Sequence, residues 1–244
     1  MHFLLLIVSL FIGCKVFSQP TSMTQTTRDR INFSGLTIPQ SGVLYGLSGD
    51  AGQLLGTAYL DSTWQAGTVT FYTKLISGTD SLTGVPVRYD LKAENLEIRA
   101  KPGDVRVAKG STVRQFRVNN LLGGTSHYIN VHEFGSDAAK LTGFVEQVVS
   151  GQLTLLCYPS VYLKRANYNA ALSTGSKDDV LIPRTDWYVA QNGHMSRLSL
   201  TRKAILALMA DKKDEIDRFI STADPDLKTR AGLISVFSHY NALH

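Results

Sequence analysis

The sequence predicts an α+β fold in which an antiparallel β-meander, either a curved sheet or an open half-barrel, is followed by a small C-terminal unit of three helices. From residue 68 to residue 200, short runs rich in apolar and β-branched residues alternate with turns that contain glycine or asparagine, which is typical of antiparallel strands. At Thr201 the spacing of apolar residues changes from two to about 3.6, the period of an amphipathic helix. Strands first and helices last is the order expected of an α+β protein.

Residues 1–18 are predicted to be a signal peptide. Their apolar core, residues 4–13, is shorter than the roughly 20 residues that a helix needs to cross a bilayer. A plausible cleavage site precedes Gln19, so the mature chain is expected to begin there. One alternative stays open, because residues 10–14 resemble a bacterial lipobox, in which Cys14 would be acylated. The protein is therefore expected to be exported to the periplasm or the cell exterior, and to be anchored at the outer membrane if Cys14 is lipidated.

The mature chain is predicted to begin with a flexible tether and to continue into the sheet. Residues 19–32 are polar and show no periodicity, so they are assigned to the tether. Residues 33–166 are assigned to the antiparallel sheet body. The first part of this body is rich in glycine, and only residues 43–45 and 57–60 are candidate strands there.

The clearest strand pair lies in the middle of the body. Every second residue from Val85 to Leu91 is apolar, and after the polar turn at residues 92–95 the alternation resumes from Leu96 to Ala100. A β-branched strand, residues 68–76, precedes this hairpin. The strands that follow with short connections are 105–107, 116–118, 128–134, 144–149 and 153–158. The last of these is almost continuously apolar, which indicates a central strand covered on both sides.

Residues 167–244 are predicted to contain a further hairpin and the helices, packed on the same body. The pair Asn192-Gly193 between two apolar runs is a strong hairpin signal. The predicted N-caps of the three helices are Thr201, Asp211 and Asp224.

The composition excludes several classes of function. The chain has 25 Lys and Arg residues against 20 Asp and Glu residues, and the two signs are interspersed rather than clustered. A nucleic-acid groove would need a stripe of one sign, so no nucleic acid is expected as a partner. No second long apolar run follows the leader, so no transmembrane span is expected in the mature chain.

After Cys14 the only cysteine is Cys157, which lies in an apolar run and is expected to be a small buried hydrophobe rather than a nucleophile.

No motif for catalysis, cofactor binding or metal binding is complete. The glycine-rich residues 46–52 lack the Gly-Lys-Ser/Thr ending of a phosphate-binding loop, and neither they nor residues 124–128 match a nucleophile elbow. The zinc-protease-like start at His132 fails because Ser136 replaces the second histidine. His127 and His132 are five residues apart, which places them on opposite faces of a regular strand, so both are interpreted as polar surface residues. No catalytic residue, cofactor or metal ligand is assigned.

The polar face of the central hairpin carries the candidate contact residues. Arg88, Asp90, Glu97 and Arg99 share it, and the simplest interpretation is that they form cross-strand ion pairs. If that face instead lines a groove, Arg88 is expected to hold an anion, with Asp90 and Arg99 as further contacts to an anion or a partner.

Five sequence elements stand out together: residues 59–61, 67–69, 84–90 and 95–98, and the pair Tyr240-Asn241 after the charged helices. In this combination the chain resembles a family of small exported Bacteroidota envelope proteins of uncharacterised function. The resemblance implies an envelope location and a β-rich body with a helical end. It implies no catalytic residue and no ligand.

Three functions remain open at this point. The leading hypothesis is a non-enzymatic envelope protein that binds or scaffolds a partner. The alternative is a periplasmic carrier of a lipid or a lipoprotein acyl chain, and the third is a hydrolase without a recognisable motif, which would need polar groups to converge in one cleft. The concave face of the sheet separates the first two, because a carrier needs an unfilled apolar groove there and a scaffold is packed solid.

Overall fold

A computed structural model describes residues 23–37, 52–119, 124–136, 141–169, 172 and 174–244. Within these ranges the protein is α+β, with a large and mostly antiparallel sheet and four α-helices. The helices are α1 (Gln25–Asn32), α2 (Arg202–Leu208), α3 (Lys213–Ala223) and α4 (Arg230–Ala242). The strands are β1 (Leu54–Leu55), β2 (Gln65–Phe71), β3 (Ser81–Asp90), β4 (Asn95–Lys101), β5 (Asp104–Lys109), β6 (Val113–Asn119), β7 (Thr125–Asn130), β8 (Gly135–Ser136), β9 (Phe144–Val149), β10 (Thr154–Lys164), β11 (Asp179–Gln191) and β12 (His194–Arg197).

The described strands form one open sheet in the order β5-β4-β3-β2-β6-β7-β9-β10-β11-β12-β8, with β1 beside the start of β11. All neighbouring pairs are antiparallel except β1 with β11 and β12 with β8, which are parallel. The sheet is not closed, because β5 and β8 end the series without pairing with each other.

The predicted central hairpin is confirmed as β3 and β4. Val87 lies opposite Ile98 and Tyr89 opposite Leu96, and all four side chains are buried. The predicted hairpin around Asn192-Gly193 is also confirmed, since Gln191 pairs with His194 across the turn.

The chain departs from a simple meander at β6. Strands β2 to β5 follow one another across the sheet, but β6 returns to the far side of β2. In a flat sheet, four strand spacings of about 4.8 Å would separate β5 from β6, roughly 19 Å. The connection is only the 3₁₀ turn Gly110–Thr112, and the four steps from Lys109 to Val113 span at most about 14 Å. The sheet must therefore curl in this part, and we call strands β2 to β6 the rolled strands.

The predicted tether differs from the structure, because residues 25–32 of that segment form α1. The Thr24 side chain accepts a hydrogen bond from the backbone N–H of Thr27 and so caps the helix. Ile31 is 1% exposed and belongs to the core enclosed by the rolled strands. Met23 and Leu36, on either side of the helix, pack against the same core. Ile31 is the one buried residue within the helix, so the segment shows little apolar periodicity in the sequence.

The first part of β10 is covered on both faces, as predicted for the strand at residues 153–158. Leu155 of β10 packs in a core that includes Ile205, Leu233 and Phe237 from α2 and α4. Leu156 points the other way, into a smaller core that includes Val145, Tyr188 and Met195. Strand β10 is thus buried from both sides where it crosses the centre of the fold.

Of the three predicted N-caps, only Thr201 has that role. Its side chain accepts from the backbone N–H of Ala204. Asp211 lies in the 3₁₀ turn Ala210–Lys212 and accepts from the Tyr240 hydroxyl instead. Asp224 is the C-terminal cap of α3, with φ +43°. A turn follows it, so α4 begins later in the chain and is capped by Thr229.

Some sequence predictions lie outside the described residues. They are the signal peptide at 1–18, the lipidation candidate Cys14, the strand at 43–45 and residues 46–51 of the glycine-rich loop. The candidate strand at 57–60 is described, and it makes only an isolated bridge between Tyr59 and Asp90.

Candidate functional site

Arg88 forms the cross-strand ion pair that the simplest interpretation of the hairpin predicts. It lies opposite Glu97, with Nη2 at 2.6 Å and Nε at 3.1 Å from Oε2 of that carboxylate. The Arg88 guanidinium also lies over the Tyr59 ring, 3.8 Å from its centroid, and 4.6 Å from the centroid of Trp64. An external anion would have to compete with Glu97 for Arg88, so the structure gives no support to Arg88 as an anion contact.

Tyr59 completes this cluster from a segment outside the strands. Its hydroxyl donates to Oε1 of Glu97 at 3.0 Å. Burial and this hydrogen bond raise the pKa of Tyr59, so the hydroxyl keeps its proton at neutral pH. The cluster holds residues 59–64 against the polar face of the hairpin.

Asp90 has a structural role in the turn that follows β3. Its Oδ1 accepts from the backbone N–H groups of Lys92 and Ala93, both at 2.8 Å. This is the side-chain-to-backbone pattern by which aspartate stabilises tight turns. The Asp90 carboxylate is therefore already engaged within the turn. This role is an alternative to the predicted contact with an anion or a partner.

Arg99 differs from Arg88, which lines only a small cavity of about 10 Å³, because it lines a much larger pocket. Its guanidinium lies 4.8 Å from the centroid of the Trp64 ring. The pocket lies between α1, the middle of β3 and the C-terminal end of β4, and it has a volume of about 300 Å³. Its lining residues are Met23, Arg28, Pro86, Arg99, Ala100, Lys101 and Pro102, and we call it the α1 pocket.

The charge of the α1 pocket has one sign. Arg28, Arg99 and Lys101 contribute three cations, and no aspartate or glutamate is among the lining residues. Arg28 donates from Nη2 to the Met23 carbonyl at 3.2 Å, and within the described chain it has no carboxylate partner. The sequence did not indicate Arg28, because it lies in the segment assigned to the tether. The only local signal for α1 is the capping threonine before a helix-compatible run.

A second charged arrangement joins the sheet to the helices. Arg230 at the start of α4 binds Glu146 of β9 through two hydrogen bonds of 2.7 and 2.8 Å. Tyr128 and Cys157 lie directly beside Glu146 on the neighbouring strands. Cys157 is buried, as the sequence predicts, and burial, with the nearby Glu146, raises the pKa of its thiol to about 11. A neutral, buried thiol is a poor nucleophile.

His127 lies between two glutamine side chains rather than in a metal site. Its Nδ1 and Nε2 are each 2.9 Å from a side-chain amide, of Gln147 and Gln115 respectively. Burial lowers its pKa. His132 lies apart from it in the 3₁₀ turn Val131–Glu133. Within the described ranges, no group of three or more His, Cys, Asp or Glu side chains is arranged to hold a metal ion.

The outer half of the β10–β11 hairpin extends beyond its neighbours. The two strands pair from Thr154 with Ala190 to Lys164 with Val180, whereas β9 pairs with β10 only from Leu155 to Cys157. We call residues 158–164 with 180–186 the arm. Opposite each other on one face of the arm, Tyr162 is 60% and Ile182 40% exposed.

Comparison of the chain with protein-family models, with curated proteins and with solved structures finds no match in any of the three. Among the described residues, no helix is both long and apolar enough to span a bilayer.

Proposed function

We propose that this chain is a non-enzymatic, exported protein of a bacterial cell envelope that binds or scaffolds a protein partner. In this proposal it belongs with the small exported Bacteroidota proteins that its sequence resembles. Its body is an open half-barrel followed by a C-terminal unit of three helices. The periplasm or the cell exterior is its location, with attachment to the outer membrane if Cys14 is acylated.

The observation that carries this proposal is the filled core between the rolled strands and the adjoining strands β7 and β9. Phe116 is in ring contact with Tyr89, Tyr128 and Phe144, with ring centroids 5.7, 4.6 and 5.0 Å apart respectively. Phe144 also meets Tyr89 edge-on at 5.3 Å. Side chains in such contact leave no room for an acyl chain between them. This packing favours a scaffold over a lipid carrier, which needs an open apolar groove.

The arm is the surface that best suits a protein partner. Exposed apolar groups on a rigid hairpin are typical of interaction surfaces, and Leu55 of β1, itself 42% exposed, extends the patch beside Val180. Each strand of the arm also contains a proline, Pro159 or Pro183, which cannot donate a hydrogen bond to an added strand. A partner therefore packs on the face of the arm rather than extending the sheet at its edges.

Native mass spectrometry of the protein, purified gently from the envelope fraction of its own host, tests the location and the absence of a lipid cargo. The expected result is a chain that begins at a cyclised Gln19 and carries no stoichiometric lipid. A lipid-sized adduct lost on activation would favour the carrier instead. An acyl group on Cys14 would agree with the scaffold proposal and would show that the protein is attached to a membrane through that residue.

Photo-crosslinking in the native envelope tests the arm. A benzoylphenylalanine at position 162 is expected to give one protein adduct of defined mass, and Ile182→Asp is expected to abolish it. The control probe replaces Lys203, which is exposed on α2. Equal adducts at both positions, or an adduct at 162 that survives Ile182→Asp, would contradict the proposed surface.

A further inference from the structure

We propose that the α1 pocket binds a phosphate group carried on a compact apolar body. This inference goes beyond the proposed function and does not depend on the arm. It rests on the unpaired cations of the pocket, their fixed positions and the apolar groups between them.

The first step is the contrast between the pocket and the other arginines of the described chain. Of the eleven other arginines in the described residues, eight form an ion pair with an aspartate or a glutamate, and Arg30, Arg117 and Arg218 do not. Arg28 and Arg99 also form none within the same ranges, and these two lie on different elements and line one pocket. Lys101 adds a third cation, and the lining contains no carboxylate. Like charges repel each other, so an anion that enters this space relieves the repulsion among three groups at once.

The second step is that the two arginines are held in place before any ligand arrives. The guanidinium of Arg99 lies over the indole of Trp64, which restricts its side chain. Arg28 is bound to the Met23 carbonyl, and α1 is itself anchored by the buried Ile31. Side chains that are already ordered lose less entropy on binding.

The third step is the match between the pocket and the ligand class. Arginine suits the several oxygens of a phosphate, and lysine adds a point charge beside them. The remaining lining, Met23, Pro86, Ala100 and Pro102, is apolar, and about 300 Å³ lies at the lower end of the range for small-molecule sites. A phosphate monoester with a small apolar group therefore fits better than a bare anion. Such a group could belong to a free phosphate ester or to the headgroup of a membrane lipid.

Isothermal titration of the chain from Gln19 onward with phenyl phosphate tests the site. We expect saturable one-to-one binding, weaker binding of inorganic phosphate and none of phenol. Arg99→Gln and Lys101→Gln should each weaken the binding of phenyl phosphate about ten-fold, since a charge-assisted hydrogen bond is worth roughly 1.5–3 kcal/mol and 1.4 kcal/mol is a factor of ten. Lys203→Gln removes one positive charge from α2, far along the chain, and should leave the affinity unchanged.

The controls distinguish a loss of binding from a loss of folding in the variants. Lys101 is exposed, so its substitution should leave the fold intact even if Arg99→Gln disturbs the packing on Trp64. The proposal is overturned if phenyl phosphate shows no saturable binding, or if Lys203→Gln weakens binding as much as Lys101→Gln. It is also overturned if phenol binds as tightly as phenyl phosphate.

Vesicle flotation distinguishes the two sources of the phosphate. Binding to phosphatidic acid vesicles but not to phosphatidylcholine vesicles, with release by phenyl phosphate, assigns the site to a lipid headgroup. Saturable titration without flotation assigns it to a free phosphate ester. Flotation that phenyl phosphate does not reverse, and that Arg99→Gln leaves unchanged, would locate lipid binding elsewhere and contradict a headgroup in this pocket.

Discussion

Arg230 and Glu146 connect the first residue of α4 to β9 through two hydrogen bonds of 2.8 and 2.7 Å. Near the other end of the helix, Asn241 accepts from the backbone N–H of Leu153 at 3.0 Å and donates to the carbonyl of the same residue at 2.9 Å. Both ends of α4 are thus fixed to the β9–β10 hairpin. Tyr128, beside Glu146, belongs to the core of the rolled strands, whereas Leu153 belongs to the core under the helices. The ion pair therefore lies where these two cores meet.

Removal of Arg230 should destabilise the protein more than removal of Glu146. The Glu146 side chain is 11% exposed and that of Arg230 is 47% exposed, so a glutamate left alone stays buried, while an arginine left alone reaches water. We expect Arg230→Ala to lower the free energy of unfolding by about 3 kcal/mol, Glu146→Ala to lower it by less, and the double variant to lose less than the sum. Urea unfolding of all four proteins measures this.

The matched control for this cycle is Arg114→Ala. It breaks the ion pair with Glu133, in which the arginine side chain is 56% exposed, and should cost less than about 1 kcal/mol. Additive losses at Glu146 and Arg230 would show that the two side chains do not act as a pair.

Phe116→Ala should be among the most destabilising single substitutions in the rolled strands. Phe116 is 1% exposed and contacts three aromatic rings, so truncation leaves a cavity and a loss of about 4 kcal/mol in the free energy of unfolding is expected. Phe33→Ala removes the same ring from a site that is 68% exposed and should change stability by less than about 0.5 kcal/mol. Similar urea midpoints for the two variants would mean that the interior is not packed as described.

The parts of the fold that the sequence predicts are those encoded locally. The turn at Asn192-Gly193 is an example, because both residues adopt positive φ, +51° and +77°, and few other residue pairs do so readily. The β3–β4 hairpin is likewise visible, since its alternation and its turn lie within one short segment. The pairing of β6 with β2 is not visible, because it depends on a contact between segments far apart in the chain.

The candidate site is likewise only partly predictable from the sequence, because some of its residues come together through contacts between distant segments. Arg99 is predictable as a residue on the polar face of β4, and its exposed neighbour Lys101 shares that face. Arg28 becomes part of the pocket only because Ile31 docks α1 onto the rolled strands, a tertiary contact with little local signal. Arg88 is predicted on the correct face, but its pairing with Glu97 follows from the strand register rather than from its residue type.

Asp90→Ala should destabilise the β3–β4 turn. The substitution removes an acceptor that serves the backbone N–H groups of both Lys92 and Ala93, so a loss of about 1 kcal/mol is expected. Asp90→Asn keeps an acceptor oxygen and should retain most of the stability, which makes it the matched control. If the alanine variant unfolds at the wild-type urea concentration, the carboxylate does not stabilise the turn.

The stability of the protein should depend on the protonation of His127. Burial lowers its pKa in the folded state below the usual value of about 6.5, so between the two pKa values the unfolded chain binds more protons than the folded one. The stabilising contribution of the neutral ring is therefore complete above about pH 6.5 and falls as the pH drops through that value. Urea unfolding at pH 7.5 and pH 5.5 should show a loss of stability at the lower pH, and His127→Gln should show a smaller loss. An identical pH dependence in both proteins would mean that the two glutamines hold the charged ring as well as the neutral one.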